Sequence, residues 1–266
     1  MSFDFTIEKY RDLCEAIASS DYTPMTVRAY LETRDLPSKL VVVRHDVDVR
    51  PENEPRTALI ESDFGIRATY YFRYKGGVFQ PDVMKKIAAM GHEIGYHYET
   101  LDKAKGNCEK ALEMFKCELD AFKEVVDIKT ISMHGNPLTQ WDNRDLWRKY
   151  DFRDFGVLGE AYLSFHDIVY LTDTGRTWSP AYKVKDMLLP DTKGGGQSDM
   201  PPKVHSTDDI IKLMETGQYH HLYLNTHASR WGSSALDWAT SLAQDTAVNI
   251  IKRGLALRAR SKQRRD

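Results

Sequence analysis

The sequence predicts a parallel α/β fold in one domain, and three observations predict it. Apolar stretches of strand length alternate with amphipathic helical stretches between residues 40 and 227. The connections between them are short, which is how parallel βαβ units are written. The length of 266 residues suits a single α/β barrel.

The elements follow in order. Amphipathic helices over 10–19 and 26–33 give residues 1–38 the character of an N-terminal helical extension. A strand at 40–43 runs into Arg44, His45, Asp46 and Asp48, and Pro51 and Pro55 then break the backbone. A helix over 56–64 ends at Gly65, the position of a C-cap glycine. Aromatic and β-branched residues over 66–74 make the second strand. A helix over 81–90, started by Pro81 and closed by Gly91, leads to a third strand in HEIGYHY. One long helix is expected over 101–125, with Ala111, Leu112, Phe115, Leu119 and Phe122 on its apolar stripe. Residues 128–135 form a fourth strand, ending near His134. FHDIVYLTDTGRTWSP gives a strand and a polar loop, and PDTKGGGQSDMPPKVHS a Gly/Pro-rich loop of the kind that borders sites. STDDIIKLMETG is a helix capped by Ser206 or Thr207 and stopped by Gly217. A last strand over 220–227 ends at His227, and 234–266 forms a C-terminal helix with a basic tail. No internal repeat or linker divides the chain.

Composition narrows the function. With 41% apolar and 29% charged residues the chain is an ordinary globular one. A net charge of -2 gives no pull toward nucleic acid or anionic membranes. No basic stretch followed by an apolar core opens the sequence and no transmembrane segment is present, so the expected location is the cytoplasm. Cys14, Cys108 and Cys117 are odd in number and lack CxxC spacing, as reduced packing residues would.

The chemistry gathers at strand ends. Side chains alternate along a strand, so Arg44, Asp46 and Asp48 share one side while His45 and Val47 share the other. Two carboxylates converging on one spot invite a metal ion or a strong base. In a barrel all carboxyl ends of the strands lie on one face, so Asp46, Asp48, His97, His134 and His227 can meet. Together they supply the carboxylate and imidazole ligands, base and acid of a divalent-metal hydrolase. Parity makes His97 the pocket-facing residue and leaves His92 and His45 to structural roles. Arg44 could orient the Asp46 carboxylate or serve as a surface salt bridge. Trp178 and Trp231 sit beside strand ends, where an aromatic face can stack on a ligand or fill the core, and Asn136 stands where a backbone N–H could face an oxyanion.

RHDVD, GHEIGYH and LYLNTH, in that order, resemble the first, second and last motifs of the NodB-like polysaccharide deacetylases, carbohydrate esterase family 4. The resemblance implies a distorted (β/α) barrel of about seven parallel strands and a metal-dependent deacetylase. It maps Asp46 as catalytic base, Asp48 and His97 as metal ligands, and His227 as the acid that protonates the leaving amine. The family's second histidine ligand falls four residues beyond His97, where this chain has Leu101. His134, with Glu99 behind it, is the candidate replacement.

The resulting expectation is a hydrolase, most simply zinc-dependent, that removes an acetyl or formyl group from an amino sugar. Its substrate would be a small or lipid-linked precursor in polysaccharide biosynthesis. Two alternatives stand beside it: a non-sugar amide hydrolase, and a catalytically silent carbohydrate-binding protein of the same fold. A phosphohydrolase reading of His45-Asp46 is weaker, because such dipeptides sit on helices and this pair closes a strand.

Overall fold

All eight residues of the strand Leu40–Val47 are buried, and the sheet is built around it. A computed structural model describes residues 3–179, 185–186, 188, 203–247 and 249. Its strands are β1 (Thr23–Met25), β2 (Leu40–Val47), β3 (Thr69–Arg73), β4 (Glu93–Tyr98), β5 (Thr130–Met133), β6 (Gly159–Glu160), β7 (Val169–Thr172) and β8 (His221–Thr226). Its helices are α1 (Ile7–Ser19), α2 (Val27–Glu32), α3 (Glu54–Asp63), α4 (Pro81–Ala89), α5 (Thr100–Lys103), α6 (Cys108–Lys123) and α7 (Thr207–Thr216), with a further helix over 235–247.

Seven strands run in the order β6-β5-β4-β3-β2-β8-β7, every ladder parallel, and β1 pairs with the start of β2. The chain is a distorted (β/α) barrel whose edge strands are β6 and β7. Period-two alternation divides the core. Val41, Val43 and Val47 join the large cluster that packs helices on the sheet, whereas Leu40 and Val42 join a smaller one with Tyr71, Phe165 and Tyr223. Each fully buried aliphatic side chain contributes roughly 1.5–3 kcal/mol, so the β2 valines anchor the strand whose end carries the site.

The capping reading at α7 holds: Ser206 closes a capping box with Asp209, and Gly217 takes the left-handed conformation, φ +57°. Two expectations change. The long helix over 101–125 is two helices, because Lys105 and Gly106 both adopt positive φ and Asn107 caps α6 afresh. The N-terminal residues are not an appendage: β1 joins the sheet, and the Tyr10 hydroxyl of α1 donates to the buried Glu61 of α3. Cys14, Cys108 and Cys117 are free thiols. The basic tail over 251–266 and most of the Gly/Pro-rich loop, 189–202, lie outside the described residues. Among the described residues no helix is long and apolar enough to cross a membrane.

Candidate metal centre at the carboxyl ends of the strands

Parallel register brings the site together. His97 near the end of β4 pairs with Ser132 of β5, and the backbone N–H of His134, just past β5, donates to Tyr98 O at 2.8 Å. Arg44 and His45 of β2 pair with Asn225 and Thr226 of β8, which sets His227 beside Asp46, near the end of β2, and Asp48, just past it. Residues from four separate motifs thus surround Asp48.

Three imidazoles present Nε2 to that carboxylate. His97 Nε2 and His134 Nε2 each lie 3.5 Å from Asp48 Oδ1, and His227 Nε2 lies 3.8 Å from Asp48 Oδ2. His97 and His227 each hydrogen-bond an acceptor through Nδ1, whereas His134 Nδ1 faces Glu99 at ion-pair distance without a hydrogen bond. His97 Nδ1 is 3.0 Å from the Ser132 carbonyl, His134 Nδ1 is 3.4 Å from Glu99 Oε2, and His227 Nδ1 is 2.6 Å from Asp173 Oδ1. An Nδ1–H given to an acceptor leaves Nε2 as the lone-pair donor, the form in which histidine binds metals.

Electrostatics follow from this crowding. Burial pushes the Asp48 carboxyl up, but His134, His97 and His227 carry it well below the usual carboxylate range. Burial works against a charged His97, yet Asp46 and Asp48 hold its pKa above the ordinary imidazole value. Burial likewise opposes ionised Glu99, while His134 and Arg73 bring it down to about 2.

The residues fit a divalent cation on one observation in particular. Asp48 Oδ1 is buried and has no hydrogen-bond partner, although two imidazole nitrogens face it. Donors around a tetrahedral zinc, each about 2.1 Å from it, stand about 3.4 Å apart, close to the 3.5 Å separations here. Among the described residues no group of three or more His, Cys, Asp or Glu side chains is placed so that it could hold a metal ion as it stands.

Asp46 lies beneath this group. Arg44 grips it with two bonds, Nε to Oδ1 at 3.1 Å and Nη2 to Oδ2 at 2.8 Å, and Asn225 Nδ2 adds a third at 3.0 Å. Its Oδ2 is 4.0 Å from His97 Nε2. Burial raises the Asp46 pKa, and Arg44, His97 and His227 more than offset that, so the carboxylate is ionised at neutral pH.

A cavity of about 410 Å³ opens above Asp48, His134 and His227. Val49, Pro137 and Leu138 give it an apolar side, and Asn136 also lines it. The helix over 235–247 supplies Ser241, Gln244 and Asp245 to the lining, so the C-terminal helix is part of the site and not merely an addition to the barrel.

Three sequence assignments are corrected. Arg44 is fully buried among the rings of Tyr71, Tyr162, Tyr170 and Tyr223, so it orients Asp46 and cannot touch substrate at the surface. Trp178 is a core residue whose Nε1–H donates to Thr207 Oγ1. Trp231 packs edge-on against Tyr10 and donates its Nε1–H to Asp173. Neither indole face is available for stacking on a sugar. His45 and His92 have the structural roles expected: His45 lies 2.7 Å from Glu61, and His92 accepts from Ala68 N and donates to Ala58 O.

Sequence reasoning missed Asp173, the residue immediately after β7. It is completely buried and accepts from His227 Nδ1, His227 N, Arg230 Nη1 and Trp231 Nε1. The rule that found the other residues, an ionisable side chain at a strand end, applies to it equally.

Fold and site together define a parallel α/β barrel with an imidazole and carboxylate centre at the carboxyl ends of its strands. No family model matches the chain, and no curated protein matches it. Among solved structures it is similar to BA3943, a CE4 family pseudoenzyme from Bacillus anthracis, at 14% identity over 88% of this chain and 66% of that one, with a TM-score of 0.40. A mutant of that pseudoenzyme matches at 14% identity over 88% and 68%, TM-score 0.43. Another, described as having restored enzymatic activity, matches over the same shares at the same identity, TM-score 0.40.

Proposed function

We propose that the protein is a metal-dependent amide hydrolase that removes an acetyl or formyl group from an amino sugar. The observation that carries this reading is the convergence of three imidazole Nε2 atoms on Asp48, whose buried Oδ1 has no other partner. Asp48, His97 and His134 would hold the ion, and two imidazoles with one carboxylate suit zinc. When bound, zinc supplies Lewis acidity to a carbonyl oxygen and acidifies water.

The chain's own residues do the rest. Asp46, kept ionised by Arg44 and Asn225, accepts the proton released as water attacks the amide carbonyl. His227 gives a proton from Nε2 to the departing nitrogen, and Asp173 behind Nδ1 stabilises the imidazolium that carries it. The cavity volume falls within the range of small-molecule sites. That favours a small amino-sugar precursor over a finished polymer.

The test is amine release from a panel of N-acetyl and N-formyl amino sugars and simple non-sugar amides, before and after chelation. Release from the sugars that chelator abolishes and zinc restores is expected. Zinc-loaded protein that frees no amine from any member of the panel would overturn the proposal.

A further inference from the structure

Inside the barrel, hydrogen bonds close a ring through six side chains. From Asp46 it runs to Arg44, whose Nη2 donates both to Asp46 Oδ2 at 2.8 Å and to Tyr162 Oη at 2.5 Å. Tyr162 passes its own proton to Asp186 Oδ1 at 2.8 Å. On the other side Asn225 Nδ2 donates to Asp46 Oδ2 and to Tyr170 Oη, each at 3.0 Å, and Tyr170 donates to the same Asp186 oxygen. Every direction is consistent: Arg44 and Asn225 only donate, both tyrosines accept and donate, and the two carboxylates only accept.

We propose that Asp186 is a positioning residue for Asp46, acting through Tyr162 and Arg44 on one side and Tyr170 and Asn225 on the other. The inference rests on the reading of Asp46 as the base. Asp186 draws both hydroxyl protons toward itself, so each hydroxyl turns a lone pair to the N–H groups that grip Asp46. Without that acceptor the hydroxyls rotate, Asn225 loses its second anchor, Arg44 keeps only Tyr223 Oη beside Asp46, and the Asp46 carboxylate loses its fixed plane. Asp186 is itself firmly seated, since Thr172 and Thr174 donate to its other oxygen. Arg44 and the hydroxyls of Thr174 and Tyr170 bring its pKa to about 2 against the upward push of burial.

Topology gives Asp186 this position. β6 and β7 are the edge strands of the barrel, yet Tyr162, just past β6, and Tyr170, on β7, have ring centroids only 5.9 Å apart. Asp186 joins them, while Lys185 beside it is anchored separately on the carbonyls of Thr139 and Trp141. One residue of this pair bonds into the ring and its neighbour does not, which separates positioning from simple stapling of the segment.

The experiment compares Asp186→Asn, Tyr162→Phe, Tyr170→Phe and Lys185→Ala with wild type by crystallography of the metal-free proteins and by steady-state kinetics. In Asp186→Asn and the tyrosine variants the Asp46 carboxylate is expected to rotate or split between conformers. Their kcat should fall at least tenfold with KM within about twofold, and Lys185→Ala should match wild type in both respects. An unmoved Asp46 in all the ring variants, or a Lys185→Ala defect equal to that of Asp186→Asn, would overturn the proposal. If wild type turns over no N-acyl sugar, the functional reading fails on its own. The crystallographic comparison then still decides whether Asp186 orients Asp46, and the two single tyrosine variants do so even if Asp186→Asn does not fold.

Discussion

Replacing Asp173 by asparagine keeps the shape of the side chain and removes an acceptor that four donors share. Asp173 Oδ1 takes His227 Nδ1 at 2.6 Å and Arg230 Nη1 at 2.9 Å, and Oδ2 takes His227 N at 3.0 Å and Trp231 Nε1 at 3.1 Å. Because each oxygen serves two donors, the new amide confronts two N–H groups with its NH2 whichever way it turns. The cheaper orientation leaves the carbonyl facing His227 Nδ1 and Arg230, and strands His227 N and Trp231 Nε1. Two buried unsatisfied donors at about 1–3 kcal/mol each set the expected loss at about 2–6 kcal/mol. At about 2–4 °C per kcal/mol for a chain of this size, the melting temperature should fall by roughly 5–20 °C. The assay is urea denaturation at pH 7, with thermal unfolding alongside. Burial raises the Asp173 pKa, but His227 and Arg230 bring it below the ordinary value. The stabilisation is therefore complete above the unfolded pKa of about 3.9, and is lost as pH falls through the lower folded value. The gap between wild type and variant should narrow there. A loss under about 0.5 kcal/mol at pH 7 would lie within the range of an ordinary surface change and would refute this account of how His227 is held.

Two further predictions concern the frame under the site. Gly95→Ala places a methyl 2.3 Å from the buried Tyr71 ring and 3.0 Å from the Thr130 carbonyl oxygen, so it should cost about 1–3 kcal/mol, and an unchanged denaturation midpoint would contradict the packing. Glu61, fully buried, accepts from Tyr10 and Tyr70 at 2.6 Å each and lies 2.7 Å from His45. Burial raises its pKa, and His45 and His92 bring it below the usual value. Its stabilisation is thus present above the unfolded glutamate pKa and disappears as pH falls through the folded one. The stability difference between wild type and Glu61→Gln should shrink in denaturation curves as pH falls below the ordinary glutamate value of about 4.3, and a constant difference would remove Glu61 from the acid limb.

What the sequence made legible was periodicity and its ends. Period-two alternation put Arg44, Asp46 and Asp48 on one side, and the structure keeps Arg44 and Asp46 together there, with His45 on the other beside Glu61. Strand-end position brought His97, His134 and His227 toward Asp48 without any knowledge of their contacts. Burial was not legible. Trp178 and Trp231 stand beside strand ends in the chain, but an aromatic ring next to a site is as well used to fill the core behind it, and both do that. The break between α5 and α6 depends on a positive φ at Lys105, for which a lysine gives no signal. The six-residue ring around Asp46 joins Arg44 to Asp186 across more than half the chain, and only the curl of the sheet brings those residues together.

The measurement that tests the central claim most directly is metal content by elemental analysis, on protein purified without a metal-affinity tag and then incubated with zinc. Wild type should hold about one equivalent, and Asp48→Ala, His97→Ala and His134→Ala should each lose it, since two remaining ligands bind zinc poorly. A wild type that stays metal-free after incubation with zinc, cobalt and nickel would contradict the account, as would a His134→Ala variant that keeps its full equivalent.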